Sequence, residues 1–94
     1  MSRPIGRGWP NAIAPQWRMS RDTKLVAQLK RFGANVRRER DRLGLTQEQL
    51  AEKSDLHPRA LQKIEAGDVD ASISTLLKLQ RSLKCRWEDL LGKP

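Results

Sequence analysis

The sequence predicts an all-α domain of five short helices behind an N-terminal basic arm or extra helical extension. Three observations carry that expectation. Apolar residues recur at helical spacing from Leu25 onward, helix start and stop signals follow one another at short intervals, and no alternating run suggests a strand. Ninety-four residues suit one domain and not two.

Residues 1–22 are expected to form the extended arm. Pro4, Pro10 and Pro15 fall too close together for a helix and suit no central strand. Trp9 and Trp17 are bulky for a solvated tail, and their size points to docking. Met19 offers an alternative chain start, which would make residues 1–18 an extension. The domain proper is expected over residues 23–94. Its first helical face is Leu25, Leu29, Phe32, Val36 and Leu43, at spacings of 4, 3, 4 and 7. Ser20 or Asp22 is placed to cap this segment and Gly44 to end it. Gly33 inside it costs about 1 kcal/mol relative to Ala, which suggests two helices meeting there.

A capping box, Thr46-Gln47-Glu48-Gln49, opens the next helix, with Leu50 and Ala51 inward and an end near Ser54. Asp55-Leu56-His57 makes a three-residue turn. Pro58 then stands at a first helical position, which proline favours, and His57 before it is held extended as a cap requires. This helix runs to about Ala66, with Leu61 and Ile64 inward and Gly67 as its stop. Ser72 caps a fourth helix whose apolar stripe is Ile73, Leu76, Leu79 and Leu83. Arg86 to Leu91 makes a fifth, with Trp87, Leu90 and Leu91 apolar and Trp87 expected in the core. Cys85 is expected to be a small buried apolar residue.

Charge narrows the function. The net charge is +8, which points to a polyanionic partner, either nucleic acid or an anionic membrane. All of it lies in residues 1–42, whereas residues 43–94 balance at zero. A membrane surface is disfavoured because the apolar stripe of the basic first helix is needed for packing. No apolar run is long enough for a membrane span or a signal-peptide core. A single Cys forms no internal disulfide and, with a single His, makes a structural zinc site improbable. That composition suits a reducing, cytoplasmic compartment. No nucleophile–base constellation, phosphate-cradling glycine loop or clustered carboxylate pair beyond an exposed loop suggests an enzyme, a cofactor or a metal site.

Two short helices joined by a three-residue turn form a helix-turn-helix arrangement. The stretch LGLTQEQLAEKSDLHPRALQKIEAG resembles the repressor/Cro type of helix-turn-helix domain, the XRE family, and SISTLLKLQRSLKCRWEDLL is similar to that family's fourth and fifth helices. The resemblance covers about residues 30–92. It implies a five-helix bundle in which the helix from Thr46 crosses the DNA backbone and the helix from Pro58 enters the major groove. It also implies a phosphate contact by Gln47 and a structural salt bridge between Arg40 and Glu65. Thr46, Arg37 and Ala66 complete the candidate phosphate contacts.

The residues themselves agree on the reader. With Leu61 and Ile64 inward, Arg59, Gln62, Lys63 and Ala66 face outward, and Arg and Lys pair best with guanine O6 and N7. Pro58 and Ala60 are placed to touch a thymine methyl. Arg3 and Arg7, beside Gly6 and Gly8, are candidate arm contacts in a minor groove.

Three positions depart from the family pattern. Asp55 stands where glycine is usual, His57 where Ser or Thr is usual, and the loop after Gly67 carries Asp68 and Asp70 where relatives offer basic or amide side chains to phosphate. The expectation is a sequence-specific transcriptional regulator, acting as a repressor and a homodimer on a two-fold operator of double-stranded DNA. It is expected in the cytoplasm, on the nucleoid of a bacterium or with a phage. The alternative is a protein-interaction module, an antitoxin or bridging factor, whose partner is a toxin or another regulator. The acidic loop and the tryptophans of the arm favour that alternative.

Overall fold

The periodic face that opens at Leu25 carries a single helix without a break. In the computed structural model, which describes residues 23–92, α1 spans Thr23–Arg42, α2 Gln47–Lys53, α3 Pro58–Ala66, α4 Ile73–Leu83 and α5 Trp87–Leu91. Among the described residues there is no strand. The architecture is the all-α, five-helix bundle that the sequence predicts. The arm, including Arg3 and Arg7, and the candidate caps Ser20 and Asp22 lie outside the described residues.

The expected break at Gly33 does not occur, and the reason is a close crossing. A Cβ built on Gly33 would collide with the carbonyl oxygen of Ile64 and stand 2.6 Å from that of Glu65. The missing side chain therefore lets the backbone of α1 touch the end of α3. Helix propensity lost at one residue is small beside what this contact permits.

Local signals set the other boundaries much as the sequence indicates. Thr46 Oγ1 accepts from the Gln49 N–H at 3.0 Å, and Gln49 Oε1 accepts from the Thr46 N–H at 2.8 Å. Ser72 Oγ accepts from the Thr75 N–H at 3.1 Å to open α4. Asp55 adopts the left-handed conformation, φ 56°, that its short polar side chain tolerates. At α5 the Asp89 carboxylate reaches back to the Arg86 N–H at 2.9 Å. That bond, with the neighbouring guanidinium of Arg86, holds the Asp89 carboxyl below its ordinary pKa. Lys84 ends α4 at φ 53°, a turn no local signal announces. The Gln80 amide stabilises it by donating to the Cys85 carbonyl at 2.8 Å.

The core is Phe32, Val36, Leu50, Ala51, Leu61, Ile64, Leu79, Leu83, Cys85 and Leu90. Four apolar residues placed inward by periodicity stand outward instead. Ile73, at the first position of α4, is 72% exposed, because that helix meets the core only from Leu76 on. Trp87 and Leu91 are exposed because α5, at five residues, turns only Leu90 fully inward. Leu43 follows the last residue of α1, and the inward face there belongs to Glu39 and Arg40, both buried. Burial pushes the Cys85 thiol above its ordinary pKa, helped by the negative charges of Glu39 and Asp89.

Glu39 is the polar residue that periodicity places inward and composition hides. Arg42 Nε donates to its Oε1 at 2.8 Å, and Arg38 to its Oε2 at 3.3 Å. Arg38 also donates to the Asp89 carbonyl at 2.7 Å, and Asn35 to the Leu90 carbonyl at 2.9 Å. The last two bonds tie α1 to α5, and Arg42 also donates to the Leu83 carbonyl of α4 at 3.4 Å, so Arg38 and Arg42 both serve the fold. No described helix is long and apolar enough to cross a membrane.

Gly33→Ala is expected to destabilise the domain by about 1–3 kcal/mol or more, the range for overpacking a close contact. Gly44→Ala meets no neighbour and strains only a positive φ of 71°, so it should cost less. Urea midpoints of the two variants check this; equal losses would show that the α1–α3 crossing is not the constraint.

Candidate nucleic-acid interface

The outward face of α3 is built by what the inward face must do. Leu61 and Ile64 are buried, which fixes the rotation of the helix about its axis. Arg59, Gln62, Lys63 and Ala66 then share the opposite, exposed face. The side chains of Arg59, Gln62 and Lys63 have no hydrogen-bond or ion-pair partner among the described residues, whereas Arg38, Arg40 and Arg42 are all engaged. Pro58 is the first helical residue and is half-buried.

The start of α3 is held by His57. Its Nδ1 accepts from the Arg59 N–H at 3.1 Å. The capping nitrogen must therefore be unprotonated, and Nε2 carries the ring's hydrogen in the neutral form. The helix ends at Gly67, φ 76°, whose N–H returns to the Ile64 carbonyl at 3.0 Å while Asp68 N–H returns to Lys63.

The Arg40–Glu65 pair fixes α3 to the rest. Arg40 Nε and Nη2 donate to the two oxygens of Glu65 at 2.7 and 3.0 Å, a bidentate contact, and Nη1 donates to the Leu45 carbonyl at 2.8 Å. The side chains are 11% and 4% exposed. The hydrogen bond to Glu65 holds the Arg40 guanidinium more firmly protonated than usual, against the opposing effect of burial.

Gln47 joins the same cluster, a contact that spacing alone does not reveal. Its Nε2 donates to Glu65 Oε1 at 2.9 Å. The amide expected at a phosphate is thus held by α3, with one N–H used and the other remaining. Thr46 is exposed, with its hydroxyl engaged in the cap. Arg37 is exposed on α1 and makes no ion pair among the described residues.

The loop after Gly67 borders this face. Asp68, Val69 and Asp70 are exposed, and a shallow groove beside α3 is lined by His57, Arg59 and Lys63 on one side and by Val69 and Asp70 on the other. The carboxylate of Asp70 therefore belongs to the same surface as the two cations.

Two short helices joined by the four residues Ser54 to His57, the second presenting an unengaged cationic face on a buried apolar one, define a helix-turn-helix DNA-binding domain. Residues 36–90 match the family model described as Helix-turn-helix, and the chain belongs to that family in its XRE form. Among solved structures it is similar to the restriction-modification controller protein C.AhdI from Aeromonas hydrophila. The two share 34% identity over 68% of this chain and 97% of that one, with a TM-score of 0.65. No curated protein matches the chain. The chain is a DNA-binding transcriptional regulator, with the fold and family of such regulators and not of enzymes.

Glu65→Gln strands the buried guanidinium of Arg40 and is expected to cost about 3 kcal/mol, near the lower end for breaking a buried pair because Arg40 keeps some exposure. Gln47→Ala removes one hydrogen bond and should cost about 1 kcal/mol. Chemical denaturation of both variants tests the ranking, and a costlier Gln47→Ala would reverse it.

Proposed function

We propose that the protein is a sequence-specific repressor that binds double-stranded DNA as a homodimer on a two-fold operator. The observation that carries the reading is the outward face of α3, where Arg59, Gln62 and Lys63 stand exposed and unengaged on a helix whose rotation the core fixes. Arg59 and Lys63 read guanine in the major groove, Gln62 pairs with an adjacent base, and Pro58 lies against a thymine methyl. Gln47 gives its remaining N–H to a phosphate from an orientation set by Glu65, and Thr46, Arg37 and Ala66 follow the backbone on either side. Arg3 and Arg7 extend the contact into a minor groove.

The homodimer is supported by apolar surface that the bundle leaves uncovered. Ile73 and Leu77 lie one turn apart on α4 at 72% and 45% exposure, and Trp87 and Leu91 one turn apart on α5 at 38% and 54%. A soluble helix rarely leaves so much apolar surface to water without a partner. Pairing through this face links two recognition helices, which strengthens binding by making the second contact intramolecular. The similarity to a restriction-modification controller supports a role in controlling genes.

Selection from a random DNA pool should enrich a two-fold site with guanine in each half. Arg59→Ala is expected to relax the preference at one base pair per half-site, by about 1–3 kcal/mol. Arg37→Ala should weaken all sequences alike and flatten the salt dependence by about 0.9 in log–log slope. A base preference untouched by Arg59→Ala would remove α3 as the reader.

For the dimer, Ile73→Glu with Leu91→Glu is expected to give a monomer in sedimentation with weaker operator binding. A parent protein that sediments as a monomer, both alone and on DNA, would end the two-fold reading.

A further inference from the structure

Beside the first two turns of α1 lies a groove that none of the five helices fills. Leu25, Val26 and Leu29 form one wall and the loop Gly67–Asp70 the other, enclosing about 280 Å³. That is just below the range of small-molecule pockets, about 300–1,000 Å³, and suits a side chain better than a ligand. Its lining mixes polar groups with the apolar side chains of Leu25, Val26, Leu29 and Val69, and Val26 and Val69 are exposed at 36% and 37%. Its rim carries Asp68 and Asp70 against the single cation Lys30.

The chain just upstream of α1 has the complementary composition. Residues 1–22 contain Trp9 and Trp17, and their four arginines, Arg3, Arg7, Arg18 and Arg21, face one carboxylate, Asp22. Trp17 precedes the first residue of α1 by six positions, a reach of about 20 Å when extended. The groove beside Leu25 to Lys30 extends only about 7.5 Å along the helix. The segment is therefore long enough to reach it with slack.

We propose that residues 16–22 fold back along the start of α1 and occupy this groove. The Trp17 indole lies between Val26 and Val69, and Arg18 and Arg21 meet Asp68 and Asp70. An indole supplies a large apolar area at the cost of ordering few torsions, and its N–H stays at the open rim. The arginines neutralise a rim that is otherwise net negative.

The consequence for DNA rests on the proposed function. Asp70 borders both this groove and the one beside Arg59 and Lys63. Docking the basic segment therefore removes a repulsive charge next to the base-reading helix without adding a base contact.

The full-length chain carrying Trp9→Phe and Trp87→Phe leaves Trp17 as its one indole. Its emission is expected to be blue-shifted, and acrylamide quenching several-fold weaker than in the same chain unfolded in urea. Val69→Lys, and separately Asp68→Asn with Asp70→Asn, should return the emission toward that of an exposed indole while circular dichroism stays unchanged. Emission of an exposed indole in the parent chain, or burial that survives both variants, overturns the docking. A blue shift lost on dilution also overturns it, because the groove would then be filled by a second copy. These readouts involve no DNA. Trp17→Ala should also weaken operator binding several-fold with base preference intact; unchanged affinity would overturn the electrostatic consequence, and docking without any DNA binding would count against the proposed function alone.

Discussion

Glu65 lies one residue before the end of α3 and is 4% exposed, so its charge must be met inside the protein. Arg40 meets it with two parallel hydrogen bonds and turns its third nitrogen, Nη1, to the Leu45 carbonyl. Gln47 adds a bond to the same carboxylate from the start of α2. One side chain thus gathers the end of α1, the connection after it, the start of α2 and the end of α3. An ion pair of this kind gives less net stability than its geometry suggests, because both charges were better hydrated in the unfolded chain. What it contributes is direction: a bidentate contact has one good geometry, and that geometry fixes where α3 points.

The same face of α1 controls α3 at three levels. Lys30 lies over Gly67, Gly33 touches the carbonyls of Ile64 and Glu65, and Arg40 holds the Glu65 side chain. These positions are three and seven residues apart, which places them on one side of a helix. Each is a different solution to close packing: a backbone that passes over a glycine, an absent side chain and a charge pair. Gly67 is constrained twice, by a φ of 76° and by Lys30, whose backbone Cα and side-chain Cγ a Cβ would strike. α3 is therefore supported from behind along its last turn. Its first turn is capped by the His57 ring, so both ends are held.

The extent to which this was legible follows from where the signals are local. Helix boundaries rest on residues within three or four positions of one another. Thr46 with Gln49, Ser72, Pro58 and Gly67 accordingly mark α2, α3 and α4 without any knowledge of tertiary structure. Gly33 defeated local reasoning because its reason is 31 residues away, in the carbonyl of Ile64. Ile73, Trp87 and Leu91 defeated periodicity because a helix of few turns faces its neighbours with only part of its apolar stripe. Glu39 shows the reverse case: the spacing from Phe32 and Val36 puts it inward, but a carboxylate reads as surface unless Arg38 and Arg42 are recognised as its partners. The Arg40–Glu65 contact came from family resemblance and not from spacing, since nothing local relates residues 25 positions apart.

Engagement of the cations changes how the net charge of +8 should be understood. Arg38, Arg40 and Arg42 make up much of the basic run of α1, yet each is bonded to Glu39, Glu65 or a main-chain carbonyl. Their charge persists at long range, but the Arg40 guanidinium is 11% exposed and committed to Glu65 and Leu45, and Arg38 and Arg42 are partly committed to Glu39 and main-chain carbonyls. On the proposed function, Arg37, which makes no ion pair among the described residues, is the cation of this run freest to meet a phosphate. Long-range attraction is nearly independent of base sequence, so it raises specific and non-specific binding together, and Asp68 and Asp70 lower both. On the function proposed above, the ratio between the two is set on α3, a surface held by packing and by Glu65, and affinity by charges on α1 and upstream of it. Because the two reside on different parts of the chain, that proposal requires changes in charge near the N-terminus to alter occupancy and salt sensitivity while leaving the choice of operator to Arg59, Gln62 and Lys63.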